Sequence, residues 1–308
     1  MIGKLLEGGT TFSFEFFPPK DEGGADRLFD HIQKLEGLNP SFVSITYGAG
    51  GSTRKLTRDV VHRVRERTGL VTMPHLTCVS HSESEIQEIL EGYAERGITD
   101  ILALRGDAPG GGEHDWASED FAYASKLVEF IANFNDRHKA SGFAGFGIGV
   151  AGFPEGHPGT GNRLDEMNHL KAKVDAGADF VVTQMFFENR DYFDFCDRCV
   201  LGGIRVPVVA GIMPVQSISG MKRMADLALG MRFPASMLRA VRRTDGSAEA
   251  IRRVGVHWAT EQCRDLLDHG ARGIHFYTLN TSGATIEIYR TLGVRDSGQL
   301  AGGEMLPF

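Results

Sequence analysis

Polar side chains stand inside or just after short apolar runs, and the pattern points to acid–base work on a bound small molecule. Glu15 lies within the aromatic run Thr11–Phe17, between Phe14 and Phe16. An ionised carboxylate is costly in such surroundings, so the expectation is a pKa raised toward neutrality and a proton donor. The competing use is an ion pair with an arginine across the core. Asp107 follows Arg105 and Gly106 where the run Ile101–Leu104 ends, as a charge at a site or as a turn aspartate. Thr46, His75, Thr77, Glu155, His157, Gln184, Tyr277 and Asn280 occupy comparable places. One such residue need only satisfy a loop backbone, whereas a ring of them is hard to explain by stability alone.

Other chemistries lack their parts. Gly48-Ala49-Gly50-Gly51-Ser52-Thr53 offers amides to a phosphate, but it has neither the P-loop lysine nor a dinucleotide spacing. A strand-to-helix turn accounts for it equally well. Cys196 and Cys199 form a CxxC pair with no second ligand pair nearby, and His75 and His157 lie on different runs, so no metal site is expected. Ser13, Ser44 and Cys78 have no base beside them in sequence, which leaves covalent nucleophilic catalysis unsupported.

The elements that must hold these residues alternate in type. Strands are expected at residues 11–17, 42–47, 71–78, 101–104, 147–153, 180–187, 206–213 and 273–279. Between them helical spacing covers 24–38, 53–67 with Ser52 as N-cap, a segment opening at Ser82, and a long stretch of 119–138. Further helices are expected at 162–176, 191–200, 218–243 with a break near Pro234, 248–269 and 284–292. Eight strand–helix pairs of roughly thirty residues each predict an α/β fold, a single-domain (β/α)₈ TIM barrel over 1–294. Residues 295–308 are expected to be a flexible tail. An open doubly wound sheet is the competing architecture, but it normally uses about five to seven strands. In the barrel, the strand ends that carry the polar ring form one face.

The 308 residues are 42% hydrophobic and 24% charged, with a formal net charge of −7. That balance argues against a nucleic-acid partner, and no apolar run approaches the ~20 residues of a membrane helix. The amino terminus, MIGKLLEGGTTF, lacks signal- and transit-peptide features, and four cysteines do not suggest a disulfide framework. A cytoplasmic location is expected.

Eight ordered blocks carry a family likeness: FEFFPPK at 14–20, ITYGAGGSTR at 45–54, PHLTC at 74–78, LRGD at 104–107, FPEGHP at 153–158, KVDAGADFVVTQMFF at 173–187, GIMPV at 211–215 and HFYTLN at 275–280. In this order they resemble the methylenetetrahydrofolate reductases, over nearly all of residues 12–294. The resemblance implies an FAD-binding barrel of the short bacterial type, catalytic domain only, a flavoprotein of one-carbon metabolism and methionine biosynthesis. It implies NADH or NADPH as hydride donor, methylenetetrahydrofolate as substrate and a homo-oligomer. Glu15 matches the family's general acid and Asp107 the carboxylate beside flavin and pterin. Gln184 matches the glutamine that reads the pterin, and Met224 and Tyr277 fall on the substrate side. Thr46, His75, Leu104, Arg105, Gly106, Asp107, Ala151, His157 and Lys173 match positions lining FAD. The chain departs at His169 and Ala172, where some relatives present polar or basic residues to the FAD phosphates. It departs again at Met224, a phenylalanine in some, and at Thr281, an arginine in many. The rival readings are another flavin barrel, such as a proline dehydrogenase-like enzyme, and a folate- or flavin-binding protein without turnover.

Overall fold

A computed structural model describes residues 1–19, 22–47, 54–111, 114–157, 159–228 and 231–301. The glycine loop 48–53 with its Ser52 cap, Lys20, Gly112, Pro158 and the tail beyond 301 lie outside the described residues. The strands are β1 (Thr11–Phe16), β2 (Phe42–Ile45), β3 (Thr72–Thr77), β4 (Asp100–Leu104), β5 (Gly147–Gly152), β6 (Phe180–Thr183), β7 (Val208–Ile212) and β8 (Gly273–Tyr277). All neighbouring pairs are parallel, and β8 returns to β1 to close the sheet. The (β/α)₈ barrel expected from strand count and spacing is the fold observed.

The helices are α1 (Ile2–Gly8), α2 (Glu22–Glu36), α3 (Arg54–Thr68), α4 (Glu83–Glu95), α5 (Ala124–His138) and α6 (Arg163–Asp175). They continue with α7 (Asn189–Leu201), α8 (Ile218–Leu227), α9 (Ala235–Arg242), α10 (Ala248–Asp268), α11 (Gly283–Thr291) and α12 (Ser297–Ala301). Alternate residues of each strand meet the helices, while the others fill the barrel. Phe14, Phe16, Val43, Ile45, Leu76, Val150, Ile274 and Phe276 pack outward among helix residues such as Leu28, Val61, Leu90 and Ile131.

Three differences from the expected elements have physical causes. The strand expected to reach Phe187 stops at Thr183. Beyond it the Phe186 and Phe187 carbonyls accept from Gln262 Nε2 (3.1 Å) and Trp258 Nε1 (2.9 Å) of α10, instead of from a strand. The helix expected from Glu119 begins at Ala124, because its acidic start serves a neighbour. Glu119 accepts from Ser80 N and Asp120 from Glu83 N, which completes the entry into α4. Residues 297–301 form α12, whose Ser297 is buried between Tyr289 and the Leu38 carbonyl.

Helix α1 carries no periodic signal in the sequence, its seven residues being too few for one. Ile2 and Leu6 join Phe42, Met73, Leu102, Phe180, Val182 and Val209 in one apolar cluster that plugs the barrel at the end opposite the polar strand ends. Asp100, buried at the start of β4, accepts from Ile2 N at 2.7 Å and so satisfies a donor at the start of α1. Leu6→Ala leaves a cavity among packed side chains and should lower unfolding free energy by ~2–5 kcal/mol. Urea denaturation checks this, and a loss below ~1 kcal/mol would show that the plug is not part of the cooperative core.

Candidate active site

Above the plug the barrel interior turns polar. Ser13 pairs in register with His275, and Glu15 with Ser44 on one side and Tyr277 on the other. Ser13, Ser44 and His275 are each 0% exposed. His275 Nδ1 lies 2.7 Å from Ser13 Oγ and its Nε2 3.2 Å from Ser44 Oγ. A buried hydroxyl or imidazole left without a partner costs ~1–3 kcal/mol, and here each has one. One step nearer the mouth, Glu15 Oε2 lies 3.3 Å from His75 Nε2 and 3.5 Å from His275 Nε2.

This cluster corrects two expectations. Burial pushes the Glu15 carboxyl up, but the facing His275 and His75 imidazoles outweigh it and hold the pKa at about 2, well below the ordinary 4.5. The flanking phenylalanines do not raise it, because Phe14 and Phe16 point to the helices on the opposite face of the strand. Its partners are imidazoles rather than an arginine. A proton drawn from this site therefore has to be held jointly by Glu15 and a histidine. Ser13 and Ser44, which lack a base in sequence, do meet one in space, but they are sealed inside the barrel and have no access to a substrate.

The remaining strand-end residues gather around the mouth. Tyr277 donates to the Thr183 carbonyl at 2.6 Å, and its ring occupies space left by Gly211, where a Cβ would lie 2.7 Å from the ring. Strand β7 thus contributes room rather than a polar group. Gly106 adopts φ 89°, and a Cβ there would come within 2.6 Å of Val79, so the turn after β4 requires glycine. That turn presents Arg105, whose guanidinium lies 4.0 Å from the Trp116 ring centroid, and the exposed Asp107. His157 lies within electrostatic reach of Glu166, Arg105, Lys173 and Asp107, and burial lowers its pKa. Gln184 turns its Oε1 back to accept from Met185 N at 2.9 Å. Met224 is buried in a methionine-rich cluster with Met185, Met213, Met221 and Met237, beside Tyr277.

Two members of the polar ring are structural. Asn280 staples Phe17, donating to its carbonyl and accepting from its N–H. Glu155 accepts from both the backbone and the side chain of Arg232, which also binds Asp191. Ser13 and Ser44, weighed in sequence only as nucleophiles, and His275, not singled out there, each sit two positions before a chosen residue, Glu15, Thr46 and Tyr277. Strand parity was the signal available for finding them.

Several groups at the mouth suit a polar ligand. Thr46 Oγ1 is buried without a hydrogen-bond partner among the described residues, whereas His75 Nε2 has its ion-pair contact with Glu15 at 3.3 Å. Part of Lys173 is exposed, but its ammonium is enclosed, donating to the Ala151 carbonyl at 2.6 Å. Burial lowers its pKa from the ordinary 10.5 to about 8. Leu104 and Ala151 are partly exposed beside these groups. His169, on α6, is exposed and stacks on Tyr123 with centroids 5.5 Å apart, and Ala172 is exposed too.

The family model for methylenetetrahydrofolate reductase matches residues 2–293. The chain belongs to this family. It is 38% identical over 290 residues to the 5,10-methylenetetrahydrofolate reductase of Escherichia coli, covering 94% of this chain and 93% of that one. It is 39% identical over 305 residues to methylenetetrahydrofolate reductase (NADH) 1 of Arabidopsis thaliana, covering 96% of this chain and 50% of that protein. The chain thus spans about half the length of the plant relatives it matches, and nearly all of the bacterial one. Among solved structures, a Clostridium thermocellum protein that binds two copies of 5-methyl-5,6,7,8-tetrahydrofolic acid superposes with a TM-score of 0.65. At 15% identity, over 94% of this chain and 95% of that one, it shows a shared fold.

Lys173 gives a pH prediction. Its folded pKa lies below its unfolded one, so the unfolded state binds more protons between the two values. Its contribution to stability should rise as pH climbs from about 8 to about 10.5. Over that range the urea midpoint of the wild type should therefore rise relative to that of Lys173→Met. A constant difference would mean that the ammonium carries no burial cost.

Proposed function

We propose that the chain reduces 5,10-methylenetetrahydrofolate to 5-methyltetrahydrofolate, with FAD as resident cofactor and NADH or NADPH as hydride donor in a ping-pong cycle. The observation that carries this reading is the Glu15–His75–His275 cluster, a proton-holding unit at the mouth of a barrel of this family. The unpartnered Thr46 Oγ1 and the enclosed Lys173 cation fit the polar atoms and phosphates of a flavin dinucleotide. Thr46, His75, Leu104, Arg105, Gly106, Asp107, Ala151, His157 and Lys173 would hold it. FAD, when bound, supplies the hydride chemistry.

The protein's own part is positioning, charge and one proton. Opening the folate five-membered ring breaks a C–N bond, and the nitrogen that keeps the electron pair takes a proton from Glu15. The carbon left behind becomes cationic, and the exposed carboxylate of Asp107 would oppose that charge. Gln184 would read the pterin edge through its amide, and Met224 and Tyr277 would wall the substrate. The methionine cluster beside them suits two successive occupants of different shape, since thioethers are adaptable.

Glu15→Gln keeps the shape and removes the carboxylate that passes the proton. Flavin reduction by NAD(P)H should stay within about tenfold, a barrier change of ~1.4 kcal/mol. Oxidation of the reduced enzyme by methylenetetrahydrofolate should fall at least ~10²-fold. Stopped-flow absorbance follows each half-reaction, and equal losses in both would remove Glu15 from the acid role. Saturating FAD should also stabilise the protein thermally, and its failure to do so would remove the cofactor from the proposal.

A further inference from the structure

We propose that His275 is a positioning residue for the proton chemistry: it stores the proton that Glu15 delivers, with Ser13 holding its Nδ1–H and Ser44 switching hydrogen-bond roles at Nε2. The inference rests on the acid role of Glu15 proposed above. Barrel interiors are ordinarily filled in layers by branched apolar side chains. Here the layer directly beneath Glu15 contains two serines and a histidine, all fully buried, between an apolar plug below and the mouth above. They are too deep to touch a substrate, so their effect must pass through Glu15.

The geometry suits a group that changes protonation. His275 Nδ1 faces Ser13 Oγ at 2.7 Å, and Nε2 is shared between Ser44 Oγ at 3.2 Å and Glu15 Oε2 at 3.5 Å. A hydroxyl can donate or accept, so Ser13 accepts from Nδ1–H in both states, while Ser44 can accept from the imidazolium Nε2–H and donate to Nε2 once that proton has left. A backbone carbonyl there would have locked one tautomer. The ring plane is held by stacking on Phe42, with centroids 5.9 Å apart and planes 15° from parallel. The groups facing His275 are Ser13 and Glu15 from β1, Phe42 and Ser44 from β2, and Tyr277 beside it on β8; His75 of β3 faces the same carboxylate. Glu15 is the charged partner of His275 among the described residues.

The step balances simply. As the C–N bond breaks, the electron pair stays on nitrogen, which takes a proton from Glu15. Glu15, a carboxylate at rest, has first taken that proton from Nε2 of the His275 imidazolium, and His275 is left as the neutral Nδ1–H tautomer, with Nδ1 still donating to Ser13 and Nε2 accepting from Ser44. Water at the mouth returns one proton in the next cycle.

The test begins with ¹⁵N-histidine NMR on the purified full chain from pH 5 to 9, without turnover. The His275 ring nitrogens should titrate, and Glu15→Gln should displace that titration to lower pH, because the imidazolium loses its carboxylate. A His275 that stays one neutral tautomer throughout, or that ignores Glu15→Gln, overturns the proposal. The pH dependence of the folate half-reaction is then compared in His275→Gln, which keeps a donor near the Nε2 position but cannot store a proton. The rate should drop about 10- to 100-fold, and the wild-type pH limb should move. Ser13→Ala, a smaller change, should move the same limb and serves if His275→Gln does not fold. An unmoved limb in the folded variants, or a limb moved only by His75→Gln, overturns the assignment. Full folate turnover in Glu15→Gln would instead remove the acid reading, an outcome separate from the NMR linkage.

Discussion

A carboxylate inside a closed β-barrel persists as a charge only if the barrel supplies its counter-charge. Glu15 is almost fully buried, and the groups that hold it ionised come from strands far apart in sequence, His75 from β3 and His275 from β8. Closure of the sheet brings β8 beside β1, and the register there sets His275 level with Ser13, one pleat below Glu15. A slip of one residue would turn His275 out among the helices and leave the carboxylate uncompensated. The site therefore depends on barrel closure more than on any loop.

Along its axis the barrel divides the work. The lower end is apolar and capped by α1, with Asp100 meeting the start of that helix. The middle layer is polar and internally satisfied. The mouth holds Thr46, whose buried hydroxyl has no partner among the described residues, and the enclosed ammonium of Lys173. The apolar end bears the stability that burying polar groups in the rest of the barrel costs.

Around the mouth, structural pairings fix the loops that shape it. Arg232 ties the connection before α9 to Glu155 and Asp191, and Phe233 packs against Phe187 at 4.8 Å. Trp258 and Gln262 of α10 hold the segment that leaves β6. The methionine-rich cluster between these supports gives one wall of the mouth an adaptable surface on a fixed frame.

By itself, the sequence determined the architecture. Eight apolar runs alternating with helical spacing allow few folds other than a closed parallel barrel, because each run must be buried on both faces. It also placed Glu15, His75, Arg105, His157 and Tyr277 at one end, since strand ends converge there whatever the packing. Periodicity could not show α1, which is too short for a pattern, or the early end of β6, which depends on side chains of α10. Nor could it give the charge state of Glu15. Its neighbours in sequence, Phe14 and Phe16, face away from it, and its neighbours in space arrive from β3 and β8. Ionisation responds to distance rather than sequence separation, so only the closed barrel decided that this carboxylate lies among imidazoles and not among aromatic rings.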